Sequence, residues 1–106
     1  MTYIASSKKS PKFQISDYHR RKARSLSVSI NYSKSPGKKL DVFKDGKKVA
    51  AIGASDYWDY ISYLKAEQDG LFPKGYADER RRLYKIRHKK NNKPGTPGYY
   101  ALNILW

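Results

Sequence analysis

From residue 26 to residue 32 the chain alternates apolar with polar side chains, Leu26, Val28, Ile30 and Tyr32 against Ser27, Ser29 and Asn31. A period of two sends the two sets to opposite faces of a strand and predicts one that is half buried. Ser35-Pro36-Gly37 then reads as a turn. Two further apolar runs, at residues 40–43 and 49–52, flank Asp45-Gly46. That pair tolerates the positive φ angles a tight hairpin demands. The pattern predicts a three-stranded antiparallel meander over residues 26–53, ended by Gly53.

Beyond Gly53 the period lengthens. Tyr57, Tyr60, Ile61 and Leu64 recur at i, i+3, i+4 and i+7, one face of a helix. Ser55 or Asp56 is expected to cap it, and Gly70 to stop it after Gln68. A second helix is expected over residues 77–90. Asp78 and Glu79 lie in its first turn and Arg87, His88, Lys89 and Lys90 in its last, which suits the helix dipole. Leu83, Ile86 and Tyr84 are expected to point inward. Thr96 followed by Pro97 starts a last short helix carrying Leu102, Leu105 and Trp106. Such an apolar side would be adhesive if left free, so it is expected to dock, with Leu105 and Trp106 as interface anchors.

Residues 1–24 show neither period. Ser6, Ser7, Lys8, Lys9, Ser10, Pro11 and Lys12 open them, and His19-Arg20-Arg21-Lys22-Ala23-Arg24 closes them. Too few apolar side chains are present to fold alone, so the segment reads as an extended basic arm whose removal should leave the fold intact. The expected fold class is α+β: a small three-stranded antiparallel meander followed by two or three helices. The arm covers residues 1–24 and a single small domain residues 25–106.

Charge sharpens this picture. The formal net charge is +14 over 106 residues, in three blocks. Residues 1–39 carry ten basic residues against one acid, residues 40–79 five against eight, and residues 80–106 eight against none. Like charge gathered in blocks repels itself and calls for an anionic partner: nucleic acid, DNA before RNA, an anionic lipid surface, or an acidic protein surface. Two clusters would make the contact. One is Arg20, Arg21, Lys22 and Arg24. The other is the run at residues 80–90, where Arg81, Lys85, His88 and Lys89 would share a helix face beside Arg82, with Lys90 following. Basic side chains one turn apart can meet successive phosphates and release counterions. A solvated helix face is the plainer alternative, but such faces mix both signs and this one is expected to hold no acid.

Tyr57, Tyr60 and Tyr63 could stack on unpaired bases, although their spacing fits core packing better. Trp58 is expected in a core or interface. There is no cysteine, which excludes disulfides and thiolate metal sites and suggests a reducing intracellular setting. No apolar run reaches the length of a membrane span, and no apolar leader is visible. Neither a phosphate-binding glycine loop nor a zinc-ligand spacing occurs. Asp56 and Asp59 are one turn apart, and Asp78 and Glu79 adjacent, but capping and dipole roles account for them better than a catalytic metal pair. No enzyme activity, cofactor, metal or small-molecule substrate is expected.

The order of motifs resembles a group of short, basic proteins of obscure function from large double-stranded DNA viruses and some tailed phages. A hairpin ends in Ile52-Gly53-Ala54-Ser55-Asp56-Tyr57, and Asp59-Tyr60 follows. The basic run at residues 80–90 comes next, then a Gly-aromatic segment from Pro97-Gly98-Tyr99 to Leu105-Trp106. The likeness covers residues 40–106, with a longer connection at residues 61–75. It implies a viral source and an accessory, non-catalytic role, and it transfers no active site. The expectation is a virion-associated structural protein, a minor capsid or nucleoprotein component present in the host cell during assembly. A free nucleic-acid-binding regulatory protein and a ribosome-like component are the alternatives.

Overall fold

The computed structural model describes residues 11–106. The first part of the expected arm, residues 1–10, lies outside the described residues. Three antiparallel strands, β1 (Ser29–Tyr32), β2 (Lys38–Lys44) and β3 (Lys47–Ala54), form a sheet in the order β1-β2-β3. A helix α1 (Asp17–Ser25) precedes them; α2 (Tyr60–Gln68), α3 (Tyr76–Arg87) and α4 (Pro97–Tyr100) follow. A short 3-10 turn occupies Lys89–Asn91, and α4 continues as a π-helical turn over Ala101–Leu105. The α+β meander expected from the pattern is present.

The hairpin forms for the reason its sequence suggested. Asp45 and Gly46 both have positive φ, 53° and 78°. That combination matches the twist of the strands they join. β2 is the central strand, and Leu40 and Val42 are fully buried on it. The intervening Lys39 and Asp41 are also buried, and each has partners. Asp41 accepts from Ser33 Oγ at 2.7 Å and from Lys34 N–H at 3.2 Å, and pairs with Lys48 at 3.2 Å. Burial alone would raise this carboxyl's pKa, but those partners together hold it below its ordinary value.

The arm requires correction. Its second half is not extended: α1 runs from Asp17 to Ser25 and buries His19 and Ala23. Ser16 and His19 form a reciprocal capping box, which satisfies free amide hydrogens at the helix start. Across the fold, the Tyr18 hydroxyl donates to the Trp106 main-chain oxygen at 2.9 Å. The helix ends with Ser27 at φ 60°, where Ser27 N–H reaches the Arg24 carbonyl and Val28 N–H the Ala23 carbonyl. This wrap consumes residues 26–28, so β1 begins at Ser29, later than the alternation indicated.

The start of α2 also differs. Its cap is Asp59, whose carboxylate accepts from Ser62 N–H at 3.0 Å, and not Ser55 or Asp56. Tyr57 therefore falls outside the helix and is 73 % exposed. At the other end, Gly70 and Leu71 donate to the Glu67 and Ala66 carbonyls, the wrap expected of a C-terminal glycine. α3 stops at Arg87 and not at Lys90. Its inner side is Ala77 with half-buried Arg80 and Tyr84, so Ile86 points outward and is 59 % exposed.

The interior is aromatic. Trp58 stacks on Tyr63 (5.1 Å between centroids), Tyr63 lies 6.0 Å from Trp106, and Trp106 stacks on Tyr84 at 4.2 Å. Leu105 and Trp106 are 2 % and 6 % exposed, so they anchor this chain's own core and are not exposed interface anchors. The approach of Leu105 to β3 depends on Gly53, because a Cβ there would come within 2.7 Å of Leu105 Cδ1.

Trp106→Ala should destabilise the isolated protein by about 3–5 kcal/mol, measured by denaturant unfolding. Deletion of residues 1–25, which removes α1, should lower the melting temperature by about 10 °C or more, given the size of the domain. Coincident melts of full-length and truncated protein would restore the reading of residues 1–24 as a dispensable arm.

Candidate polyanion-binding surface

The two basic clusters, far apart in sequence, come together in part. α1 turns Lys22 toward α3. The Lys22 pKa is lowered by partial burial first, then by repulsion from Lys85 and Arg81. Beneath these cations lie two rings: Tyr18 and Tyr60 are 5.6 Å apart. The Arg81 guanidinium stands over the Tyr60 ring at 4.4 Å, and Lys22 Nζ over Tyr18 at 5.6 Å. Rings of this kind attract cations through their negative faces. Burial, followed by the hydrogen bond to Asp78 at 2.8 Å, raises the Tyr60 hydroxyl above its usual pKa, so it stays neutral. The result is a surface on which Lys22 and Arg81 sit on an aromatic bed with Lys85 nearby.

The other expected contacts scatter. Arg21 points outward from α1. Arg20 and Arg24 lie on its far flank, bordering a shallow depression with Val28 and Ile30. Arg82 forms an ion pair with Glu79, its Nε 3.1 Å from the carboxylate, so the outer side of α3 does contain acids. The Arg82 hydrogen bond is the main reason the Glu79 pKa is lowered. His88 stacks on Tyr84 at 4.1 Å and pairs with Asn91 at 3.1 Å, which turns it from the expected row of cations. Lys89 and Lys90 are exposed but sit on the 3-10 turn, past the end of the helix.

A second group was missed in the sequence. Lys39 and Asp59 form an ion pair at 3.1 Å, each side chain only 3 % exposed. Lys39 Nζ also donates to the Tyr57 carbonyl. His19 is buried beside them. Its Nδ1 accepts from Ser16 N–H at 3.0 Å, so a neutral ring carries its proton on Nε2. Among the described residues that Nε2 has no partner. The only sequence trace was the spacing Ser16-x-x-His19 and Asp59-x-x-Ser62, two box-like caps hidden by the surrounding charge.

Among the described residues no group of three or more His, Asp or Glu side chains is placed to hold a metal ion. Nor is any helix among them long and apolar enough to cross a membrane. Set against family models, curated proteins and solved structures, the chain matches none.

Burial lowers the His19 pKa; Asp59 opposes this, while Lys39 and Lys65 add to it, and the net shift is downward from 6.5. The folded state therefore prefers the neutral ring. This contribution to stability is complete above the unfolded value near 6.5 and declines as pH falls below it. Denaturant midpoints should drop between pH 7 and pH 5, about where histidine titrates, and His19→Gln should flatten that part of the profile.

Proposed function

We propose that the protein is a non-enzymatic, virion-associated nucleic-acid-binding protein that holds the phosphate backbone through Lys22, Arg81 and Lys85. The observation that carries the binding role is the convergence of α1 and α3 cations over Tyr18 and Tyr60. An unpaired cluster of like charge beside partly buried rings is costly without an anion and favourable with one. Stacking on Tyr60 also orders the Arg81 guanidinium in advance, which leaves less freedom to lose when it grips a phosphate. Contacts of this kind position a backbone and carry no base readout, so binding is tolerant of sequence. The virion setting rests on the resemblance in motif order; mass spectrometry of purified particles tests it, with a measurable copy number as the expected outcome.

Fluorescence anisotropy with duplex DNA tests the binding role. With these three cations contacting about 3 phosphates, log affinity should fall against log salt with a slope near −3. Lys22→Ala, Arg81→Ala and Lys85→Ala should each reduce the slope by about 1, and affinity for unrelated sequences should fall equally. Arg82→Ala should change the slope less, because Glu79 already engages that side chain. A flat salt response defeats the proposal.

A further inference from the structure

The amino-terminal ends of α1 and α2 border a cavity of about 240 Å³. None of Tyr18, Lys22, Tyr60, Arg81 or Lys85 lines it, so it is separate from the polyanion surface. The buried side chains of His19, Lys39 and Asp59 form its floor, and the exposed Lys12 and Lys65 stand at its rim.

Its chemistry is that of an anion receptor. Three lysines, Lys12, Lys39 and Lys65, line the cavity against one carboxylate, Asp59, and that carboxylate is already engaged. Asp59 Oδ2 accepts from Lys39 at 3.1 Å and Oδ1 from Ser62 N–H at 3.0 Å. An arriving anion therefore meets a net positive lining. The cavity also faces the first turn of α2, where Ile61 and Ser62 line it, and the dipole of this nine-residue helix favours negative charge there. The independent sign of a ligand is His19. Its Nε2–H donor is buried with no acceptor among the described residues. Native interiors seldom leave a donor in that condition, and a ligand oxygen would relieve it. Phe13 completes one side with an apolar ring, which suits carbon attached to the anion.

We infer that this cavity binds a phosphate monoester. A monoester dianion offers three terminal oxygens, enough for Lys12, Lys65 and His19 Nε2–H together, whereas a carboxylate offers two. The volume leaves space for the ester carbon against Phe13. Two sources present this group: a free nucleotide, and the 5′-phosphate at the end of a nucleic-acid strand. The site shares no residue with the proposed backbone contacts, so either can fail while the other stands.

The test uses the full chain and NMR at constant ionic strength. Inorganic phosphate and a nucleoside 5′-monophosphate are titrated while the resonances of His19, Ser62 and Lys65 are followed. Saturable shifts centred on those residues are expected. Lys65→Met should weaken binding about tenfold, as loss of one charge-assisted contact does. Lys12→Met provides a second rim variant, also exposed, should the first perturb folding. Arg21→Met, on the outer side of α1, should leave affinity within about twofold, since exposed distant charges are screened. Oligonucleotides with a 5′-phosphate or a 5′-hydroxyl then separate the sources. Tighter binding of the phosphorylated strand identifies a strand end, and saturation by the mononucleotide alone identifies a free ester. Shifts that never saturate, or equal losses in the rim variants and Arg21→Met, overturn the inference.

Discussion

The ion pair between Lys39 and Asp59 ties the two halves of the fold together. Lys39 belongs to the central strand, and Asp59 caps α2. With both side chains 3 % exposed, neither charge has water to rely on. Such a pair is tolerated because each member has further partners, Ser62 N–H for Asp59 and the Tyr57 carbonyl for Lys39. Removing one member would leave the other buried and uncompensated, which typically costs about 3–5 kcal/mol. The pair therefore acts less as glue than as a specification. It determines that Asp59, and not the expected Ser55 or Asp56, begins α2. Through that choice it determines that Tyr60 and Tyr63 face inward while Tyr57 stays in solvent.

What could be read in advance was local. Asp45-Gly46 dictates its hairpin through the positive φ angles that these two neighbouring residues adopt. Thr96-Pro97 starts its helix likewise, the Thr96 hydroxyl accepting from Tyr99 N–H at 3.2 Å. What escaped was decided by distant partners. α1 looks like a tail because its inward positions are His19, Lys22 and Ala23, not leucines. Its anchoring comes from a hydroxyl bond to a residue 88 positions away. Ile86 was expected inside because it is apolar, yet the inner face of α3 is taken by Ala77, Arg80 and Tyr84. Arg80 can lie there because its guanidinium rests 5.7 Å over the Tyr63 ring. Of the candidate site, the residue types and their two clusters were legible. Their convergence was not, since no pattern along the chain brings residue 22 to residue 85.

The same geometry divides the positive charge into two populations. Lys39, Lys48 and Arg82 are matched to Asp59, Asp41 and Glu79. They serve the fold, and salt would reach only the exposed members. Lys22, Arg81 and Lys85 have no carboxylate partner among the ion pairs of the described residues and lie close enough to repel. A net charge of +14 therefore overstates the number of cations available to a partner and says nothing of where they sit. The useful quantity is the local imbalance where α1 and α3 approach.

Tyrosine makes that imbalance tolerable. Tyr18 and Tyr60 place ring faces under the cations while their hydroxyls are held at the far end, one by the part-buried Trp106 main-chain oxygen and one by the exposed Asp78 of α3. An aliphatic side chain at either position could fill space but could neither attract a cation nor anchor its far end. The basic surface is in this sense an extension of the aromatic core, which runs from Trp58 through Tyr63 and Trp106 to Tyr84. α1 links the two regions: Tyr18 belongs to the surface, Ala23 to the core, and His19 to the polar cavity. A short helix with so few buried side chains stands near the low end of local stability in any fold. Its position is thus set by the groups around it, and the charge it presents can be no better ordered than those contacts make it.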